Sequence, residues 1–220
     1  ESYDTLVLAP GAEPIRPAMP GLDSPKVFTL RNIPDMQRII KAAKSGARRA
    51  VVIGAGYIGI EMVENLAHLG LQVDVVELAD HIIGPLDQEM AALLNPVLKA
   101  NGVGLHLSDG IAGARDTECG VTVTLQSGLE IEADFAVLGI GVKPETKLAV
   151  SAGLKIGSSG GIAVDSRMRT SDPSIYAVGD AIEIRDFVSG DPARIPLAGP
   201  ANRQGRIAAD NIAGGAETYD

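Results

Sequence analysis

The sequence predicts an α/β fold in which a doubly wound parallel sheet carries a small antiparallel β-meander. Uninterrupted apolar runs at residues 50–53 and 73–76 are typical of strands buried on both faces of a parallel sheet. Between them, residues 57–69 have the length of a helix, and Gly70 follows as a stop signal. Short apolar runs separated by turn residues after residue 100 predict the meander.

The other elements follow from the same patterns along the chain. Helices are predicted at residues 33–43, 88–100 and 200–213. Strands are predicted at residues 5–8, 26–30, 162–164 and 174–178, and those of the meander at residues 104–107, 120–125, 130–131 and 135–138. Pro10, Pro14, Pro17 and Pro20 exclude a helix after the first strand, because proline lacks an N–H and disfavours helix before it. That segment is predicted to be an extended connection between domains.

Composition excludes several classes of function. The 220 residues are 45% hydrophobic, enough for one large or two small domains. A net charge of −9 argues against binding to nucleic acid or anionic membranes. No apolar run approaches the roughly 18 residues that span a bilayer. A single cysteine, Cys119, cannot form an intrachain disulfide; we expect an incidental surface thiol in a hairpin turn and a cytoplasmic protein.

A glycine-rich turn follows the strand at residues 50–53. Residues 54–59 read GAGYIG and match the pattern G-x-G-x-x-G. Gly54 is expected to make the turn, Gly56 to let the backbone touch a pyrophosphate, and Gly59 to let the helix approach the strand. The N–H groups at the start of the helix, at Tyr57 and Ile58, would face the phosphates. The alternative is an ordinary turn between a strand and a helix.

An acid at the end of the next strand strengthens the dinucleotide interpretation. Glu77 lies 18 residues after Gly59, where a carboxylate would accept hydrogen bonds from the adenosine ribose. With the flanking strand and helix, it predicts a Rossmann-like NAD(P)-binding domain. The next three residues, Leu78 to Asp80, include no cation for a 2′-phosphate. The sequence therefore predicts NAD(H) rather than NADP(H).

Two further segments resemble motifs of the pyridine nucleotide-disulfide oxidoreductase family. Residues 3–12, followed by Pro20 and Gly21, are similar to the segment that links its FAD and NAD domains, although Pro10 stands where the family usually has threonine. Residues 170–180 are similar to its second FAD motif. This resemblance implies that the Asp180 carboxylate holds the ribityl chain of FAD, whereas an ordinary Gly-Asp turn is the alternative.

Two other stretches extend the resemblance over nearly the whole chain. Residues 139–144 resemble the loop that returns from the NAD domain, which implies that the backbone of Gly141 lies against the dinucleotide. Residues 196–206 look like the branch of CoA-disulfide reductases, NADH oxidases and NADH persulfide reductases. The family position of Glu61 approaches the flavin and the nicotinamide, but an acid on the helix surface explains Glu61 equally well.

The resemblance implies three segments. Residues 1–24 link the two domains, residues 25–148 form the NAD-binding domain, and residues 149–220 form an incomplete second part of an FAD-binding α/β domain. The first FAD motif, the redox cysteine and the dimerisation domain are expected outside this chain, which would then be an internal fragment that binds NAD(H) and holds no catalytic residue. We also expect the last helix to have exposed apolar surface at Ile207, Ala208 and Ile212, or to bury that surface against another chain.

The implied parent is a homodimeric FAD-dependent NADH oxidoreductase. Its acceptor would be a small-molecule disulfide, a persulfide or oxygen. A ferredoxin or rubredoxin reductase and a non-catalytic NAD(H)-binding module remain as alternatives. No metal site is predicted, because the three histidines have no ligand spacing. We expect all three histidines to be structural or on the surface: His68, His81 and His106. We expect Arg203 and Arg206 to lie on a solvated face of the last helix.

Overall fold

A computed structural model describes residues 2–219. It divides them into two compact units. The first unit comprises the described residues up to Glu13 together with those from Val142 onward, and the second is Pro14–Gly141. No helix between residues 2 and 219 is long and apolar enough to cross a membrane.

Strands and helices alternate between residues 27 and 106, and strands predominate in the rest of the described chain. The strands are β1 (Leu6–Leu8), β2 (Ala12–Pro14), β3 (Val27–Phe28), β4 (Arg49–Ile53), β5 (Gln72–Val76), β6 (Gly104–His106), β7 (Ile111–Asp116), β8 (Val121–Leu125), β9 (Glu130–Ala133), β10 (Phe135–Leu138), β11 (Val142–Pro144), β12 (Ile162–Ala163), β13 (Ile175–Ala177), β14 (Ile182–Arg185) and β15 (Pro192–Ala193). The helices are α1 (Ile33–Lys44), α2 (Tyr57–His68), α3 (Gln88–Ala92), α4 (Asn95–Ala100), α5 (Lys147–Ser151) and α6 (Ala198–Ile212), with a short 3₁₀-helix at Gly179–Ala181.

The second unit is built on a five-stranded parallel sheet in the order β3-β10-β4-β5-β6. Alternate residues of each strand enter two separate apolar clusters. In β4, Ala50 and Val52 pack with residues of α1 and α2, whereas Val51 and Ile53 pack with residues of the meander. Both faces of the sheet are therefore covered, which confirms the α/β fold predicted from the uninterrupted apolar runs.

The meander is present but has different strands from those predicted. It consists of β7, β8 and β9, paired antiparallel. The predicted meander strands at residues 104–107 and 135–138 instead correspond to β6 and β10, which lie in the parallel sheet. The prediction missed β7, because its Ala-Gly-Ala-Arg core lacks the β-branched and aromatic residues by which strands are identified.

The single helix predicted at residues 88–100 is wrong. Two short helices occupy this stretch: α3 ends at Ala92 and α4 begins at Asn95. Pro96 is the second residue of α4. A continuous helix would need an N–H at Pro96 to donate to the carbonyl of Ala92, and the proline ring would clash with that carbonyl. The chain therefore breaks between these two residues.

The first unit has its own core, around the parallel pair β1 and β13 and the long helix α6. Ile207 and Ala208 of α6 are 6% and 1% exposed and belong to the cluster that contains Leu8 and Ala177. This corrects the expectation that these two side chains are exposed or buried against another chain, because the unit supplies its own apolar surface to that face of the helix. Ile212 is 41% exposed, as expected.

Candidate functional site

The glycine-rich turn lies where β4 ends and α2 begins. Gly54 has a φ of 99° and donates its N–H to the carbonyl of Val76 at 2.7 Å. A Cβ on Gly54 would lie 2.5 Å from the carbonyl oxygen of Gly139 and 2.9 Å from the Cα of Ile140. Both the backbone angle and the close neighbour therefore require glycine here.

Gly59 is required for packing. It is buried in the first turn of α2, and a Cβ there would overlap the carbonyl oxygen of Gly54. A side chain would push the helix away from the turn. Contacts within the protein thus account for glycine at the first and third positions of the motif, Gly54 and Gly59.

Gly56 is different, because nothing in the described protein requires a glycine there. Its φ of −71° and ψ of −173° are extended backbone that any residue adopts, and a Cβ would meet no atom within 4 Å. Its N–H donates to no described residue. The position therefore combines open space with a free donor at a helix start, which fits the close approach of a pyrophosphate.

The residues after Gly56 continue this donor surface. The first N–H of the helix with a backbone acceptor is that of Ile60, which donates to Gly56 at 2.9 Å. The N–H groups of Tyr57 and Ile58 precede it, where a helix has no internal acceptor to offer. Their side chains are 48% and 37% exposed. These N–H groups and the partial positive charge of the helix start can together receive an anion.

Glu77 lies beside the turn, as the sequence predicts, but the structure adds contacts that the sequence did not indicate. One carboxylate oxygen accepts the N–H of Ala55 at 2.7 Å, and the other accepts the N–H of Ala79 at 2.9 Å. Each oxygen has a second lone pair, so the half-buried carboxylate can still accept a hydroxyl. The next side chain, that of Leu78, is 66% exposed, and Asp80 pairs with His81 at 2.7 Å.

The loop after β5 also holds the turn. Ile83 donates its N–H to the carbonyl of Ala55 at 2.8 Å. Ile83 has a φ of 51°, a conformation that a β-branched residue rarely adopts. Sequence reasoning missed this contact, because an isoleucine in a loop carries no signal of a left-handed backbone.

The loop after β10 meets the same edge of the sheet. Gly139 donates its N–H to Ile53 at 2.7 Å, which places the loop against Gly54. Gly141 has a φ of 118°, and its carbonyl accepts the N–H of Ile15 at 3.0 Å. The structure therefore brings the loop predicted to contact the dinucleotide to the glycine-rich turn.

Glu61 lies on the exposed side of α2. Its carboxylate has no hydrogen bond or ion pair with any residue that the structure describes. This position is compatible with a helix-surface acid, and contact with a flavin remains a prediction.

Asp180 belongs to the first unit, in the 3₁₀-helix after β13. The preceding Gly179 has a φ of 79° and donates its N–H to the side-chain oxygen of Gln204 at 2.8 Å. Gln204 is 2% exposed on the buried face of α6, among Ile207 and Ala208. Asp180 is half-buried, and its carboxylate has no bond to any described residue, so it can accept a ligand hydroxyl.

Sequence reasoning missed Gln204, although a signal was present. A polar residue three and four positions before two apolar ones stands on the apolar face of an amphipathic helix. The neighbouring Arg203 and Arg206 are exposed, as predicted, and the Arg203 guanidinium lies 5.3 Å from the centre of the Tyr219 ring.

All three histidines and the cysteine belong to the second unit. His68 is exposed, and His106 pairs with Asp74 at 2.9 Å. The hydrogen bond that the His81 ring donates to the Asp80 carboxylate raises the pKa of His81. Cys119 is exposed, as predicted. Among residues 2–219, no three His, Cys, Asp or Glu side chains form a group that could hold a metal ion.

Curated relatives match nearly the whole chain. An NADH oxidase of Methanocaldococcus jannaschii is 39% identical over 218 residues, covering 97% of this chain and 48% of the relative. A coenzyme A disulfide reductase of Staphylococcus haemolyticus is 33% identical over 214 residues, covering 97% of this chain and 47% of the relative. The chain therefore spans about half the length of these relatives.

Solved structures match the fold closely. The reduced CoADR-RHD of Bacillus anthracis is 47% identical with a TM-score of 0.94, covering 100% of this chain and 40% of that one. An NAD-dependent persulfide reductase from A. fulgidus is 41% identical with a TM-score of 0.95, covering 99% of this chain and 40% of that one. The family model described as pyridine nucleotide-disulphide oxidoreductase matches residues 1–205. With the glycine-rich turn and its acid in place, the chain belongs to the pyridine nucleotide-disulphide oxidoreductase family.

Proposed function

We propose that this chain binds NAD(H) at the turn between β4 and α2. The N–H groups of Gly56, Tyr57, Ile58 and Gly59 receive the pyrophosphate, and Glu77 accepts the hydroxyls of the adenosine ribose. The open space and free N–H at Gly56 carry the proposal, because this glycine is the one in the motif that the protein's own packing does not require. The backbone of Gly141, two residues after Gly139, would lie against the dinucleotide.

The charge at the ribose end favours NAD(H) over NADP(H). A 2′-phosphate beside Glu77 would meet a like charge, which costs on the order of 1 kcal/mol even in high dielectric at 4 Å. Leu78 and Ala79 offer no cation, and the nearby His81 is paired with the Asp80 carboxylate. Discrimination would thus come both from this repulsion and from the 2′-hydroxyl of NADH, whose hydrogen bond to Glu77 a 2′-phosphate would remove.

For the whole protein, we propose an FAD-dependent NADH oxidoreductase that reduces a disulfide such as CoA disulfide, a persulfide, or oxygen. The names of the relatives support this class of reaction. Asp180 would hold the ribityl chain of FAD, with its backbone fixed through Gly179 and Gln204. Bound flavin would supply the hydride acceptor, while this chain binds and orients the nicotinamide nucleotide.

Titrations of the purified chain with NADH, NADPH and FAD test the proposal. NADH should bind more tightly than NADPH, and FAD should not be retained in stoichiometric amount. Gly56→Ala should weaken NADH binding by about tenfold, because its methyl group occupies the space of the pyrophosphate. Gly199→Ala is the matched control, since Gly199 has equally open surroundings in the first unit. Unchanged NADH affinity in Gly56→Ala would refute the site.

A further inference from the structure

Hydrogen bonds hold both peptide groups that flank Ala55, one through its N–H and the other through its carbonyl. Ala55 is fully buried between Gly54 and Gly56. Its N–H donates to the Glu77 carboxylate at 2.7 Å, and its carbonyl accepts the N–H of Ile83 at 2.8 Å. Both partners belong to residues 77–86, the segment between β5 and α3, which we call the clamp segment.

The bond from Ile83 determines where the N–H of Gly56 points. The carbonyl of Ala55 and the N–H of Gly56 belong to one planar trans peptide, so they point in opposite directions. A donor fixed on the carbonyl therefore aims the Gly56 N–H away from Ile83. That N–H has no acceptor among residues 2–219.

The backbone of Ile83 shows that the clamp segment is held in place by more than local preference. Its φ of 51° is unfavourable for a β-branched residue, and such a conformation persists only where surrounding contacts enforce it. Those contacts include the bond to Ala55, a second bond from the N–H of Leu86 to the Ile83 carbonyl at 2.8 Å, and the full burial of Ile82.

We propose that Ile83 is a positioning residue for the dinucleotide: its N–H orients the Ala55–Gly56 peptide so that the Gly56 N–H is aimed at the pyrophosphate before the ligand arrives. Ile83 acts through Gly56 and does not itself touch the nucleotide. This inference rests on the proposed NAD(H) site and extends it to a residue outside the glycine motif.

The experiment deletes a single N–H. The α-hydroxy acid analogue of isoleucine, introduced at position 83, replaces the amide by an ester and keeps the side chain. The same replacement at position 114 with the alanine analogue is the control, because it removes a bond of similar length, 2.9 Å to the carbonyl of Pro20, in the same unit but outside the clamp segment. NADH affinity and thermal stability are measured for both esters and for the unmodified chain.

We expect both esters to lower the unfolding temperature to a similar extent. The ester at position 83 should weaken NADH binding by about tenfold, the upper range for one hydrogen bond. The ester at position 114 should leave NADH affinity within about twofold, since the lost bond to Pro20 supports neither Ile83 nor the peptide of Gly56. If the Ile83 N–H had a purely structural role, the ester at position 83 would lower the unfolding temperature but would not weaken NADH binding more than the control ester does.

The outcomes separate the two proposals. Equal affinity losses in the two esters, or none at position 83, would overturn the positioning role while the NAD(H) site stands. No NADH binding by the unmodified chain would overturn the proposed function and the inference with it.

Discussion

The side-chain oxygen of Gln204 accepts the N–H of Gly179 at 2.8 Å, so one buried residue of α6 fixes the turn that presents Asp180. The two residues are 25 positions apart in the sequence. Gly179 has a φ of 79°, and its N–H points into the core, where water cannot replace the glutamine. The bond therefore links the orientation of Asp180 to the packing of α6.

Replacement of Gln204 by methionine should destabilise the chain. Methionine is similar in length but leaves the Gly179 N–H without an acceptor, which costs about 1–3 kcal/mol. Chemical denaturation measures the loss. Asn202→Ala on the exposed side of the same helix is the control, because within residues 2–219 the Asn202 side chain bonds only to the carbonyl of Ala198. That variant should stay within about 0.5 kcal/mol of the original chain. Equal losses would show that the buried bond contributes nothing specific.

Substitutions at two of the motif glycines, Gly59 and Gly56, should differ in their effects on stability. Gly59→Ala places a methyl group onto the carbonyl of Gly54, so we expect a loss of about 3 kcal/mol or more. Gly56→Ala meets no protein atom within 4 Å, and its loss should stay under about 1 kcal/mol. Urea denaturation without nucleotide gives both values. A larger loss for Gly56→Ala would mean that the protein itself needs glycine there.

The cofactor preference should shift when the charge beside the ribose is changed. Glu77→Gln keeps an acceptor for the Ala55 N–H and removes the negative charge; combined with Leu78→Arg it also supplies a cation. The ratio of NADPH to NADH dissociation constants should fall by about tenfold or more in the double variant, since each charge changes the interaction with a 2′-phosphate. Leu78→Arg alone is the control and should change the ratio less. An unchanged ratio of dissociation constants in the double variant would mean that the 2′-position of the bound ribose does not lie beside residue 77.

An ion pair in the first unit predicts a dependence of stability on acid. The hydrogen bond from Lys147 at 2.9 Å lowers the pKa of Glu13 from 4.5 to about 2. Because the folded pKa lies below the unfolded one, Glu13 stabilises the fold above pH 4.5, and this contribution is lost as the pH falls towards 2. Lys147→Met should therefore flatten the change of unfolding free energy across that window. If the unfolding free energy of the Lys147→Met variant changed with pH as steeply as that of the original chain, the link between Lys147 and the pKa of Glu13 would be contradicted.

The sequence by itself determined the local frame of the site. The apolar runs of β4 and β5, the spacing of the glycines and the acid at Glu77 each follow from constraints between residues close in the chain, namely strand burial, turn geometry and helix approach. The break between α3 and α4 was also local, since Pro96 stands four residues after Ala92. It was available from the sequence and was not predicted.

Only the tertiary structure decided which contacts hold that frame in place. The left-handed backbone of Ile83 and its bond to Ala55 arise from packing between a loop and a turn 28 residues apart. The burial of Gln204 against Gly179, and of Ile207 within the first unit, depends on how α6 meets β1 and β13. The periodicity of apolar residues indicates which face of a helix or strand is buried. It does not indicate which other element packs on that face, because that depends on contacts between residues far apart in the chain.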